Sequence, residues 1–463
     1  MMNWWRCWIE TGLLVRSRLL RPLFLVVLAL MISGPAHSDA PAPADLSGFG
    51  PWMVQNTLPL ITTDDFAPLL ARCGAAQLVL LGDGSHGSDE FYRLRRLISL
   101  ELMRCQRIDF VAIEADWLSC RKMDAYVREA CDEYESAESL LRALPGWLAW
   151  VWQNQDMALF LEQLRALNLT RPPARKVAIY GMDLLDGRDS LHGLIGCPPY
   201  DRAARALETC LDWRGDPQDY LRHLAAGAPD CETAAQNLLQ QVPASGLFPY
   251  WLEDRSFDRL QQALMAVGTE AYYRCQLLYG ERGWNVRVRH FSRTLQRLLK
   301  RHGSASRGIV WAHNTHVGDA TATPMPRWGL ESLGQLLRRN CGAQGVFLLG
   351  QFSFQGSVRA SRQWQGEVEN LIVPPARDGS LEAVLHHSGV KAGMWLFTAA
   401  ERRGGPNVSL DQRAIGVVYE PLRDQSENYL RVYPMERYDG LIFVDQTTAV
   451  RPLTPAPAEG GGR

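Results

Sequence analysis

Four apolar runs in this sequence each stop at residues able to bind a ligand or move a proton. "QLVLLGDGSHG" ends on Asp83 and His86, "DFVAIEADW" on Glu114 and Asp116, "KVAIYGMD" on Asp183, and "GIVWAHNTH" on His313 and His316. Histidine has its ordinary pKa nearest neutrality, so His86 can take a proton from water as that water attacks a carbonyl. Asp83 or Glu114 would fix its tautomer and stabilise the imidazolium. Arg95 could stabilise negative charge developing on oxygen, although Arg93 and Arg96 beside it fit a solvated helix face equally well. Ser85 is a weak nucleophile candidate, because a Gly-x-Ser-x-Gly elbow needs glycine where Asp83 stands. A second chemistry uses the same groups: His86, Glu114, His313 and His316 form a His/carboxylate set that would hold a divalent metal and acidify its bound water. The same set could serve a metal- or haem-binding protein that catalyses nothing. His313 and His316 lack the helix and the glutamate of HExxH, which makes the metal signal weak.

These clusters meet only if the runs are parallel strands whose carboxyl ends lie together, where loops converge and helix N-termini point free amides. The runs at 77–82, 109–115, 176–182, 308–313, 345–352, 393–399, 414–419 and 440–445 read as strands. They are continuously apolar, as strands buried on both faces are. Longer amphipathic segments alternate with them, which predicts an α/β fold with a largely parallel central sheet flanked by helices. A helical insertion over about 200–302 contains "WNVRVRHFSRTLQRLLKRH". Asp116, Trp117, Trp150, Asp183 and Asn314 are the substrate-binding candidates. Trp147, Trp150 and Trp152 suit an apolar cleft wall, but their spacing is equally that of a helix buried against the sheet.

With 463 residues, 46% of them hydrophobic, the chain can bury the core of one large domain, read as 49–452. Arg6, Arg16, Arg18 and Arg21 precede the apolar run "PLFLVVLALMISG", and small residues flank His37. Residues 1–38 therefore read as a signal peptide, which makes the mature protein exported and periplasmic, with no stable membrane association after cleavage. Residues 39–48 read as a flexible linker and 453–463 as a disordered tail. The formal charge is −1 and becomes −4 once four arginines and Glu10 leave with the signal, so nothing points to a nucleic-acid partner. Nine cysteines remain after Cys7, without CxxC pairs, which excludes zinc-ribbon and thioredoxin-like readings.

The ordered segments "GDGSHGSDEFYRLRRLISLEL", "FVAIEADW", "VAIYGMDLL", "AYYRCQLLYGERGWNVRVRH", "IVWAHNTHVGDA" and "RAIGVVYEPLRDQSENYL" resemble the erythromycin esterase family, from about residue 50 to 450. The resemblance implies a hydrolase without a cofactor, in which His86 activates water to open the ester of a macrolide lactone. Asp83, Glu114, Arg95, His313 and His316 would support it. Families related to this one include metal-dependent peptidases and haem-binding proteins, so the metal alternative stands. Members usually carry glutamate where Asp83 follows Gly82. One methylene less moves a carboxylate by about 1 Å, a displacement able to cost about 100-fold in rate. They also usually carry aspartate at the position of Val288, so erythromycin itself need not be the substrate.

Overall fold

The computed structural model describes residues 48–453 apart from 131–132, 185–186, 212–216, 243–253, 280–281 and 407. The segments read as signal peptide (1–38), linker (39–48) and tail (453–463) lie outside the described residues, except for Gly48 and Leu453. Strands β1 (Leu78–Asp83), β2 (Phe110–Asp116), β3 (Ala178–Asp183), β4 (Gly308–His313), β5 (Val346–Ser361) and β10 (Gly440–Thr447) run parallel. Strand β7 (Ala392–Leu396) closes one edge antiparallel to β10. The order across the sheet is β3-β2-β4-β1-β5-β10-β7. Alternate residues face two cores: Leu78 and Leu80 pack with Ala112 and Val310 on one side, while Val79 and Leu81 pack with Ile113 and Trp311 on the other. The expected α/β architecture is therefore present, and β4 lies between β1 and β2.

The helical insertion is also present. It extends from Gly187–His192 to Arg282–His302, with Asp254–Tyr279 and Arg282–His302 as its longest members. A disulfide, Cys210–Cys231, ties helix Asp201–Leu211 to the residue preceding helix Glu232–Gln240. Helix Arg282–His302 turns Val288, Phe291, Leu295 and Leu298 into the core at helical spacing. Among the described residues no helix is long and apolar enough to cross a membrane.

Three sequence readings need correction. Strand β5 continues to Ser361, well past 352, and pairs with β6 (Val368–Val373), which the alternation of exposed and buried residues concealed. A separate two-stranded sheet joins β8 (Leu410–Arg413) and β9 (Tyr429–Val432). Residues 414–419 form no strand; they touch the rest of the protein at single bridges. The Ile415 N–H donates to the Gly84 carbonyl at 2.9 Å, and Ser361 donates its N–H to the Val417 carbonyl at 3.1 Å and accepts from the Tyr419 N–H at 2.8 Å. Its apolar residues Ile415 and Tyr419 fill a small core of their own with Val358, Ala360, Leu371 and Val373. Burial, rather than sheet pairing, explains why that run is apolar.

A bulge lies in β2. Ile113 pairs with Gly181 and Asp116 with Asp183, so Glu114 and Ala115 together oppose Met182 alone. Such an extra residue breaks the alternation and re-aims a side chain, here Glu114. The bulged backbone presses on Gly181, where a Cβ would stand 2.2 Å from the Asp116 carbonyl oxygen. Gly181→Ala is accordingly expected to destabilise the fold by about 1–3 kcal/mol, read as a lower midpoint in chemical denaturation; an unchanged midpoint would show that the bulge relaxes freely.

Candidate active site

Parallel register brings the strand ends level. Asp83 at the end of β1 pairs with His313 at the end of β4; Asp183 ends β3, and Glu114 stands two residues before the end of β2, at its bulge. The turn after β1 carries His86 and is held from three sides. Ile415 bonds to Gly84, while Arg359 and Val450 donate to the Gly87 carbonyl at 3.0 and 2.8 Å. Gly87 has room only for hydrogen, since a Cβ would meet the Arg359 carbonyl oxygen at 1.8 Å.

His86 stands between two carboxylates, with Nδ1 3.4 Å from Asp83 Oδ2 and Nε2 3.9 Å from Glu114 Oε2. Its ring centre is 5.1 Å from that of His313. On one face of the sheet the Arg95 guanidinium meets Asp83 at 2.8 Å, both fully buried, and lies over the rings of Tyr92 and Trp311. On the other face Arg287 donates from Nη2 to Glu114 Oε1 at 2.8 Å and grips Asp183 from Nε and Nη2 at 2.9 and 2.6 Å. His316 places Nε2 3.2 Å from Glu114 Oε1 and stacks on Trp284. Glu114 Oε2 also accepts the His313 backbone N–H at 2.8 Å.

The electrostatics follow from these contacts. Burial works against the Asp83 carboxylate, but Arg95 and His86 hold its pKa below the usual value. Glu114 is likewise buried, and His316 with Arg287 holds it well below. Burial would lower His86, yet Asp83 and Glu114 outweigh it and raise its pKa. Burial together with neighbouring His86 pushes His313 down to about 4, against the opposing pull of Asp83 and Glu114. Burial raises Asp116, whose side chain accepts from Ser119 N–H at the start of helix Trp117–Val127.

Asp83, His86, Arg95, Glu114, Asp183, His313 and His316 thus converge. Other sequence candidates do not join them. Trp117 is fully buried, stacked on Tyr180 and packed against Phe257; Trp150 sits in the opposite core. Both rings belong to the buried hydrophobic clusters on the two faces of the sheet. The segment Trp147–Val151 is a 3-10 turn rather than a long helix. Asn314 is fully buried and donates to the Gln351 carbonyl, bracing β4 against β5. Ser85 pairs its hydroxyl with Ser88. Of the two departures from the family pattern, Val288 faces the core, whereas Asp83 contacts His86 directly. Arg287 was missed. Its signal was an arginine four residues before Phe291 and three after Trp284, on the border of the buried stripe.

The proposed metal donors fit a metal poorly. Glu114 Oε1 and His316 Nε2 share their space with Arg287, whose Nη1 is 3.3 Å from that nitrogen, so a divalent ion there would face a guanidinium. Among the described residues no group of three or more His, Cys, Asp or Glu is arranged to hold a metal ion.

The description "erythromycin esterase" belongs to the family that matches residues 107–447, a span that includes Glu114, Asp183, Arg287 and both distal histidines but begins after His86. Among solved structures, a succinoglycan biosynthesis protein shares 15% identity at a TM-score of 0.67, covering 87% of this chain and 97% of its own. A Bacillus cereus protein gives 15% and 0.67, covering 88% and 98%. A mutant of the erythromycin esterase EreC in its open conformation gives 14% and 0.62, covering 85% and 96%. At these identities the likeness is one of fold.

Removing one partner of a desolvated ion pair leaves a bare charge. Arg95→Met should therefore cost about 3–5 kcal/mol, and adding Asp83→Asn should recover much of that loss. Additive losses in a denaturation cycle would show that the pair is not coupled.

Proposed function

The chain belongs to the erythromycin esterase family and is an ester hydrolase, and we propose that it cleaves a carboxylic ester, a macrolide lactone foremost, by attack of water activated at His86. The observation that carries this reading is the position of His86. Its side chain is 12% exposed, whereas those of His313 and His316 are nearly inaccessible, and it lies between two acids that stabilise its protonated form.

Asp83 faces Nδ1, which leaves Nε2 as the nitrogen that accepts a proton. The 3.9 Å separation from Nε2 to Glu114 Oε2 suits a water bridging the two. As the water oxygen bonds to the carbonyl carbon, its proton passes to Nε2 and the C=O electron pair moves onto oxygen. When that pair returns, the bond to the alcohol oxygen breaks and the alkoxide takes the proton back from His86. One water is consumed, and an acid and an alcohol are released. Three carboxylates (Asp83, Glu114, Asp183) face two guanidiniums (Arg95, Arg287), a formal balance of −1 with neutral histidines. A proton on His86 brings it to zero, so the site favours the imidazolium at the moment of attack.

Arg95 lies beneath Asp83, away from solvent, so we assign it to holding that acid rather than to meeting substrate. No metal is needed in this reading. Export is proposed from the N-terminal pattern, and the Cys210–Cys231 disulfide accords with an oxidising compartment.

Incubation of purified protein with a series of macrolides, followed by mass spectrometry, tests the function: addition of one water by the wild type and not by His86→Ala is expected, with a rate loss of at least about 10²-fold. Product formation by a folded His86→Ala variant would refute the base. The pH profile tests the environment. His86 must be neutral to act, and its pKa is raised above the ordinary 6.5, so kcat/KM should rise with pH through a value above 6.5. Asp83→Asn removes a raising charge and should move that limb to lower pH while lowering the plateau; a stationary limb would separate Asp83 from His86.

A further inference from the structure

We infer that Arg287 is the electrophile of this site, receiving the ester carbonyl oxygen as water adds beside His86. The inference rests on the ester-hydrolase reading above and names the group that meets the charge created by addition, which needs a donor already in place. Three donors are near. Arg95 is fully buried under Asp83. His313 has its Nε2 without a partner, but that atom is buried, and its Nδ1 is 3.3 Å from the Thr315 N–H and 2.8 Å from the Thr315 hydroxyl. Arg287 is 17% exposed and is the arginine of the network that an entering molecule can touch.

Its fork is divided in a way that suits the task. Nε and Nη2 are committed to Asp183 and Glu114. Nη1 contacts His316 Nε2 at 3.3 Å and, among the described residues, no carboxylate. A guanidinium Nη carries two N–H groups, so one contact leaves Nη1 a second donor. Glu114 spans the distance to the base, with one oxygen on Arg287 and the other facing His86 Nε2. Base and cation are thus one carboxylate apart, the span filled by a water, a carbonyl carbon and its oxygen. Anchoring by Asp183 fixes the guanidinium plane before substrate arrives, so no reorganisation is required during reaction. The negative charge on oxygen and the positive charge on His86 arise together, and the formal balance of the site stays at −1.

The test compares a macrolide lactone with the thionolactone of the same ring, whose sulfur accepts hydrogen bonds poorly. Wild type should prefer the lactone in kcat. Arg287→Ala should lower kcat on the lactone by about 10²- to 10³-fold with little change in KM, shrink the oxygen-over-sulfur preference by about tenfold or more, and regain lactone turnover when free guanidinium ion is added. Arg287→Lys keeps the charge without the fork and answers the same ratio question if the alanine variant fails to fold. Equal slowing of both substrates, with the preference intact, would overturn the assignment and leave Arg287 a positioning residue for Glu114 and Asp183. Failure of the wild type to open the lactone at all would sink the parent reading, and this one with it.

Discussion

Acids taken out of water at the end of a sheet must each be answered by a cation or by hydrogen-bond donors, and for Asp83, Glu114 and Asp183 this requirement governs the structure on both faces of β1 to β4. Asp83 is fully buried and answered by Arg95 from helix Asp89–Cys105; Glu114 and Asp183 are answered by Arg287 from helix Arg282–His302. Neither pair is evidence of net stability, because desolvating ions costs several kcal/mol per group. They secure position: each carboxylate is held at one place, and for Asp83 and Glu114 the charged neighbours favour the ionised form. His86 is poised because its neighbours are fixed.

That constraint explains why an insertion of helices interrupts the sheet between β3 and β4. Its last helix packs Val288, Phe291 and Leu295 into the core, which turns Arg287 over the ends of β2 and β3. The long β5 and the segment 414–419 do a matching job on the other side of the histidine, supplying backbone partners that pin the turn 84–88. A loop so clamped presents a side chain with the precision of a strand, which catalysis by a positioned base demands.

The individual acids and histidines of the site were legible because a parallel strand leaves a plain signature, an unbroken apolar run stopped by polar residues. Asp83, Asp183 and His313 occupy such stops as the last residues of their strands, and Glu114 stands two residues before the end of β2. Trp117 and Trp150 carried no comparable signal. An aromatic residue after a strand reads the same whether it lines a cleft or fills a core, and contacts with Tyr180 and Phe257 decided the matter for Trp117. The run 414–419 misled for a related reason: apolarity reports burial, and a segment can be buried against a small satellite core without joining a sheet.

The sequence by itself determined the parallel α/β sheet, the chemical character of its carboxyl edge and the identity of the candidate base, since those depend on local pattern and on side-chain chemistry. Tertiary structure alone decided which charges meet. Arg95 is separated from Asp83 by a turn and part of a helix, and Arg287 from Glu114 by 173 residues; in sequence both look like ordinary basic residues on amphipathic helices. Whether such an arginine is a solvated surface charge or the counter-ion of a buried acid depends on helix rotation and on strand order. The bulge at Glu114 belongs to the same class, because one extra residue in β2 changes the face of a side chain without leaving a mark in composition.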